Sequence, residues 1–508
     1  MSDLTEFKTL LTLLAGQGDQ LALVAPDYPG LTYDQLQQSV INLADQLNRL
    51  GLGRGDRIAI AMPNGPEMIL TFLAAAMCGT AAPLNPKYTP AEFAFYYGDT
   101  DADALITLGD TMAAAQAAAT DEMKQIQAAF QPDGRLSFDQ VGGKKQGSRA
   151  AELAESDDIA MILHTSGTTS QPKRVPIKHR NLAASAQNII GTYQLSEGDR
   201  ALCIMPLFHV HGLVASMLST LASGGTVICP RGFNAIEFWR LLSTFKPTWY
   251  SAVPTMHQLL LARASRNQDA IQTSPLRFIR SSSSSLPPIV LESLEAAFKA
   301  PVLEAYSMSE ASHQMTSNPL PPSAHKAGSV GYGFGVEVGV MEEEGDRLLE
   351  PGQLGEIVVK GPNVFDGYEN NPAANAKAFA NGWFRTGDQG LVDSEGYLSL
   401  TGRLKELINR GGEKISPLEV DNVLLRHPAV AQVLTFGAPH KTLGEDIHTA
   451  LVLKDATVSE QDLRKYCSEQ LAAFKVPRQF HRLDELPRGA TGKLQRLKMA
   501  EILGIKDN

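Results

Sequence analysis

The sequence predicts an α/β protein: a large N-terminal domain of parallel-rich sheets flanked by helices, followed by a small C-terminal α+β domain. Three observations point there. Short β-branched runs alternate with Ala/Leu-rich stretches of helical spacing, as strands joined by crossover helices do. The chain has 508 residues, 43% of them hydrophobic and 20% charged, which is ordinary globular composition and long enough for more than one core. A stretch at Gly402-Arg-Leu-Lys405 breaks the alternation and divides residues 1–402 from 403–508.

Each element follows from local pattern. Residues 57–62 read as a strand, 65–77 as a helix and 81–84 as extended chain. Strand signals recur at 104–107, 159–163, 225–229 and 248–253. The polar, aperiodic segment 144–158 reads as a linker. Beyond the break, 420–425 and 459–471 read as helices and 430–436 and 450–453 as strands, a unit of βαβ flavour. No repeat of fixed period is visible.

Several function classes are excluded or disfavoured. A net charge of −10 repels a phosphate backbone, so nucleic-acid binding is not expected as a main function. The four cysteines, Cys78, Cys203, Cys229 and Cys467, form no C-x-x-C pair and no zinc spacing, and read as buried apolar residues of a reducing compartment. The first residues lack the basic start of a signal peptide, no apolar run reaches spanning length, and the last residues are not S-K-L. Cytoplasm, without membrane attachment, is the expected location.

The strongest local motif is His164-Thr-Ser-Gly-Thr-Thr-Ser-Gln-Pro-Lys173, directly after the 159–163 strand. Small residues let backbone N–H groups approach phosphate oxygens, the hydroxyls of Thr165, Ser166, Thr168 and Thr169 donate to the same oxygens, and Lys173 adds a point charge. Gly167 sits at its centre. The motif is not G-x-x-x-x-G-K-[ST], so a Walker-type site is excluded. Taken alone, such a Ser/Thr-rich loop is more often a solvated turn.

Four further motifs follow in order: Glu304-Ala-Tyr-Ser-Met-Ser-Glu310, Gly382-Trp-Phe-Arg-Thr-Gly-Asp388, Gly402 through Pro417, and Pro487-Arg-Gly-Ala-Thr-Gly-Lys493. Together, across nearly the whole chain, the five resemble the adenylate-forming superfamily of acyl-CoA synthetases, firefly luciferase and peptide-synthetase adenylation domains. The resemblance implies ATP, Mg2+ and coenzyme A as the small molecules handled. It implies that Thr165 through Lys173 hold the β- and γ-phosphates, that Glu310 helps hold Mg2+, and that Tyr306 packs on adenine, with Ser309 where threonine is usual. It further implies that Asp388 accepts from the ribose hydroxyls, that Arg403 lies near ribose and phosphate, and that Lys493 bridges the reacting carboxylate and the α-phosphate. The small domain is then mobile, turning about a hinge at Lys405 to bring the Gly411-Gly412 turn to the site for the thiol step. Each of these residues also has a plainer reading: a cap for Asp388, a hairpin for Gly411 and Gly412, a solvated charge for Lys493.

One departure from the family pattern is Arg174, where glycine is usual after Lys173; if that position needs positive φ, arginine is strained there. The acid is expected to be small and doubly charged. The segments Arg280-Ser-Ser-Ser-Ser-Ser285 and Ala311 through Asn318 are polar and donor-rich. His313 with Ser282, Ser283 and Ser284 are candidates for a second carboxylate, though a packed histidine and an adenine-site role for the serines remain equally open. His209 and His211, in Pro206-Leu-Phe-His-Val-His211, are further pocket candidates. The stretch from Glu304 to Pro321 resembles oxalyl-CoA synthetases of plants and fungi, which implies oxalate, with malonate or another short acid next. Lys441, Lys475 and Arg478 are candidate partners for CoA phosphates. Adenylation that loads a carrier-protein thiol, and a nucleotide-binding protein of impaired catalysis, are the competing readings. The sequence gives no signal of oligomeric state.

Overall fold

The computed structural model describes residues 8–14, 18–131, 134–144, 147–165, 172–455, 457–488 and 494–505. Two large sheets dominate the N-terminal part. One has seven strands, with Lys124–Phe130, Ala104–Leu108, Arg57–Ala61, Thr80–Pro83 and Ile159–Thr165 running parallel in that spatial order. The other has eight, with Val302–Met308, Phe278–Ser281, Trp249–Ala252, Arg200–Leu202, Thr226–Ile228 and Leu21–Ala25 parallel. Antiparallel strands close both edges of each sheet.

The helix Pro66–Cys78 lies between these sheets and all of its residues are buried. That explains its sequence: a helix covered on every side has no polar face. The helices Tyr33–Arg49 and His179–Tyr193 and the π-helix His211–Leu218 share the same central core. Outer helices, Glu237–Phe245, Pro254–Ala264 and Pro288–Phe298, cover the far face of the eight-stranded sheet. Pro90–Thr100 covers the far face of the seven-stranded one. Its start is set by Thr89, whose hydroxyl accepts from the Glu92 N–H, with Pro90 at the first helical position.

A third sheet departs from the parallel-rich expectation. Its strands, Glu337–Met341, Gly355–Lys360, Trp383–Val392, Phe379–Ala380 and Leu398–Arg403, are antiparallel throughout. Short turns join Phe379–Ala380 to Trp383–Val392 and that strand to Leu398–Arg403, while the helix Pro372–Ala378 lies in the connection that follows Gly355–Lys360. The C-terminal sheet spans Ile408–Arg410 to Gln479–Arg482. It is antiparallel except where Gly444–Leu453 pairs in parallel with Gln479–Arg482 across the helix Glu460–Ser468. The βαβ unit is therefore present within a mostly antiparallel small domain. Residues 144 and 147–158 contain no helix or strand. The four cysteines are buried and unpaired. Among the described residues no helix is long and apolar enough to cross a membrane.

Candidate active site

The first cluster forms where three segments meet. Strand Ile159–Thr165 turns back as Lys173–Lys178, placing Thr165 opposite Lys173. The Val302–Met308 strand runs into a one-turn 3-10 helix, Ser309–Ala311, that carries Glu310. Between them lies the loop 361–369, fixed by Asn363, whose Nδ2 donates to the carbonyls of Ala311 and Gln314 at 3.0 Å each. The Phe365 N–H donates to the Glu310 carbonyl at 2.8 Å. Tyr368 is the meeting point. Its hydroxyl donates to Glu310 Oε1 at 2.9 Å, and Lys173 Nζ lies 4.3 Å from its ring centroid. Glu310 is buried. Burial raises its pKa above the usual carboxylate range, while the Tyr368 hydroxyl and the charges of Arg403 and Lys173 oppose that. Burial lowers the Lys173 pKa, Glu310 raises it, and Lys405 lowers it further.

Beside this lies a buried acid. Asp388, on Trp383–Val392, accepts from the Tyr306 hydroxyl at 2.5 Å and pairs with Arg403 Nε at 3.1 Å. The backbone supports this, because Asp388 and Arg403 are register partners across adjacent strands. Arg403 keeps nearly half of its side chain exposed and so faces the site from its rim. Burial and the Asp388 charge push the Tyr306 phenol up.

A second, deeper cluster sits where the parallel strands Trp249–Ala252 and Phe278–Ser281 end. In open α/β sheets ligands bind at the carboxyl ends of strands. His211, at the start of the π-helix, contacts Ser283 Oγ through Nδ1 at 3.0 Å and Ser251 Oγ through Nε2 at 2.6 Å. Its ring lies 5.2 Å from that of His313. His313 is fully buried and held at φ 113, an uncommon conformation for a side-chain-bearing residue. Its Nδ1 faces Arg280 Nη2 at 3.4 Å, and its Nε2 has no hydrogen-bond partner among the described residues. Burial, with Arg280 and His211 adding to it, drives the His313 pKa well below the ordinary histidine value. Ser282 Oγ donates to the Ala305 carbonyl at 2.8 Å and meets Ser307 Oγ at 3.0 Å.

A lysine, an arginine and two buried carboxylates thus gather in one region, and buried histidines and serines with Arg280 in a second. A family model described as AMP-binding enzyme matches residues 12–369. The chain belongs to the AMP-binding enzyme family. A second model, AMP-binding enzyme C-terminal domain, matches residues 419–493. An oxalate–CoA ligase of Arabidopsis thaliana is 45% identical over 492 residues, 95% of each chain. An oxalate–CoA ligase of Saccharomyces cerevisiae is 42% identical, covering 88% of this chain and 87% of its own. The solved structure of O-succinylbenzoate coenzyme A synthetase from Bacillus subtilis, in complex with ATP and magnesium ion, superposes with a TM-score of 0.82. It is 32% identical, and the match covers 96% of this chain and 98% of that one.

In this AMP-binding enzyme, Thr165, Lys173, Glu310, Tyr306, Asp388 and Arg403 line one region, as does Ser309 in the 3-10 turn. His211, His313 and Ser283 meet in the second cluster; Ser282 is buried beside it and Ser284 is exposed. His209 is half-buried with its ring 4.5 Å from that of Phe208. Ser166, Gly167, Thr168, Thr169 and Lys493 lie outside the described residues. Lys405 is exposed in the 3-10 turn Leu404–Glu406. Gly411 and Gly412, both at positive φ (62 and 95), turn the hairpin between Ile408–Arg410 and Glu413–Ile415. Lys475 pairs with Glu419 at 2.7 Å and Arg478 with Asp446 at 3.2 Å.

The expected strain at Arg174 is absent. Arg174 lies in the strand Lys173–Lys178 and is not among the residues of positive φ. Its guanidinium contacts Asp101 at 3.2 Å and Glu369 at 3.3 Å, and its carbonyl accepts from the Glu369 N–H at 3.2 Å. It thus ties the hairpin carrying Lys173 to the residue after Tyr368. Sequence reasoning passed over Tyr368 and Arg280. The signal for Arg280 was a lone charge inside an apolar strand pattern; for Tyr368, a single aromatic in a loop, there was none.

Proposed function

We propose that this AMP-binding enzyme is an acid–CoA ligase that joins oxalate to coenzyme A through an acyl adenylate, releasing pyrophosphate and then AMP. The observation that carries this is the 45% identity with an oxalate–CoA ligase along 95% of both chains. Two clusters of suitable chemistry, one for a nucleotide and one for a small polar acid, support it.

The first step brings a carboxylate oxygen to the α-phosphorus, forming that P–O bond and breaking the bond to pyrophosphate. Two unit charges about 4 Å apart repel by about 4 kcal/mol at an effective dielectric of 20, so cations must face the reacting atoms. Lys173, whose ammonium is directed over the Tyr368 ring, takes the β- and γ-phosphates together with Thr165 and residues 166–169. Lys493 takes the reacting carboxylate and the α-phosphate. Asp388 accepts from the ribose hydroxyls, Tyr306 borders the adenine, and Arg403 faces ribose and phosphate. Glu310 suits Mg2+: it is a buried carboxylate with one hydroxyl donor, and Mg2+ is usually held by one or two carboxylates plus substrate phosphates. When bound, the ion neutralises charge developing on the leaving pyrophosphate. No protein nucleophile is required, because the substrate carboxylate attacks.

In the second step the CoA thiol attacks the acyl carbonyl and AMP leaves. We assign this step to a rotation of the small domain, residues 403–508, about Lys405 that brings the Gly411-Gly412 hairpin to the site. Pyrophosphate release measured with ATP, Mg2+ and CoA against oxalate, malonate, acetate, octanoate and cinnamate tests the reading. Oxalate is expected to give the highest kcat/KM, with oxalyl-CoA as product. A higher kcat/KM for any other acid overturns the substrate, and product formed without CoA consumption overturns the ligase reading.

A further inference from the structure

Among the described residues, six of the ten buried charged side chains sit in ion pairs. Glu67 meets Arg231 at 2.7 Å, Asp199 meets Arg277 at 2.5 Å and Glu356 meets Arg385 at 2.6 Å. Lys124, Arg280, Glu304 and Glu310 sit in none among the described residues, and of these four Arg280 is the one that cannot become neutral by gaining or losing a proton. Its relative exposure is 0%, and among the described residues no carboxylate lies within ion-pair distance of it. Its contacts are all neutral: Nε donates to the Tyr193 hydroxyl at 2.8 Å, Nη1 to Ser251 Oγ at 3.2 Å, and Nη2 to Gln314 Oε1 at 3.3 Å and His313 Nδ1 at 3.4 Å.

A guanidinium does not shed its proton in a protein, so burial cannot neutralise it. Removing an uncompensated charge from water is costly, and neutral acceptors orient the group without cancelling its charge. One N–H of Nη1 has no acceptor among the described residues. A second donor is stranded alongside. With His313 Nδ1 accepting from Arg280, the ring proton sits on Nε2, which is buried and has no partner among the described residues. The backbone of His313 is held at φ 113 to keep the ring there, and the residue before it, Ser312, is at φ 51. The cluster reaches the surface through His211 and half-buried Ser283, next to exposed Ser284.

We propose that Arg280 is the fixed counter-charge for the second, non-reacting carboxylate of a short dicarboxylic acid, with His313 Nε2–H as the neutral donor beside it. This rests on the acid–CoA ligase reading above. It makes the pocket selective for charge: a dianion compensates Arg280 on binding, whereas a monocarboxylate of the same size leaves it unpaired.

The test compares wild type with Arg280→Met, near in shape but neutral, using oxalate and glycolate, which differ in the second charge. Losing one partner of a buried charge pair should lower kcat/KM for oxalate by about 100-fold. Glycolate turnover and the KM for ATP should stay within about threefold of wild type. An equal fall for both acids, or no fall for oxalate, overturns the proposal. Should Arg280→Met aggregate, Arg280→Lys keeps the charge but loses the planar fork, and a fall of about 10-fold confined to oxalate is expected; equal loss for both acids again overturns it. Binding provides a readout free of turnover. With a non-hydrolysable ATP analogue present, oxalate should raise the melting temperature of wild type more than glycolate does. Equal shifts overturn the proposal even if no acid is turned over. If wild type favours malonate over oxalate and Arg280→Met abolishes that preference relative to propionate, the oxalate assignment fails while Arg280 keeps its role.

Discussion

Replacing Tyr368 with phenylalanine removes one oxygen atom from the centre of the nucleotide cluster and leaves everything else in place. The ring under Lys173 Nζ stays, so the 4.3 Å contact with the ammonium survives. The 2.9 Å hydrogen bond to Glu310 Oε1 is lost. Glu310 is 4% exposed, so water does not readily replace that donor. A hydrogen bond to a charged group contributes about 1.5–3 kcal/mol. The loss falls on the charged form alone, so the Glu310 pKa should rise beyond its already raised position. The sign follows from which form the hydroxyl favours. It donates to the carboxylate, so its loss favours the protonated acid, which is the form unable to hold a cation. The acid limb of kcat/KM for ATP should therefore move to higher pH, with activity recovering on the alkaline side. Stability changes in a linked way. A carboxyl whose folded pKa lies above its unfolded value binds more protons when folded, so stability falls as pH rises from the unfolded pKa to the folded one. In the variant that decline should continue to higher pH. Pyrophosphate release between about pH 5 and 9, with urea melts at both ends, measures both effects. An acid limb that does not move would refute the reasoning, because Glu310 would then not be the group whose ionisation limits activity.

Three other substitutions probe the remaining assignments. Lys493→Ala should lower the adenylation rate by about 100- to 1000-fold with little change in ATP binding, and unchanged ATP turnover would remove this lysine from the chemistry. Arg174→Ala unties the Lys173 hairpin from Glu369; it should cost about 1 kcal/mol in urea unfolding and raise the KM for ATP several-fold, while an unaltered KM would limit Arg174 to a structural role. Gly412→Val places a β-branched residue at φ 95, and should slow thioester formation while leaving acid-dependent pyrophosphate–ATP exchange near wild type; equal loss in both assays would count against a role confined to the thiol step.

The alternation of apolar runs determined the two large sheets and the buried helix between them, because a strand or helix covered on both sides must be mostly apolar, as Pro66–Cys78 is apart from Thr71 and the ion-paired Glu67. The five motifs likewise announced Lys173, Glu310, Asp388 and Arg403, since spacing within a motif survives folding. What the sequence could not contain was the approach of residues far apart in the chain. Tyr368 joins Lys173 to Glu310 only because Asn363 pins its loop to the turn after residue 310. Arg174 looked strained as a loop residue and proved to be an ordinary strand residue, satisfied by Asp101 and Glu369. The third sheet is antiparallel, a pairing direction that the apolar pattern of single strands does not set. Arg280 is the sharpest case. In sequence it is one more arginine, next to a run of serines. Only packing by Tyr193, Ser251, His313 and Gln314, from three separate elements, shuts out both water and carboxylates and turns a common side chain into an uncompensated charge. Residue identity fixes what a group can do, but its solvent and its neighbours, which fix what it does, exist only after the chain has folded.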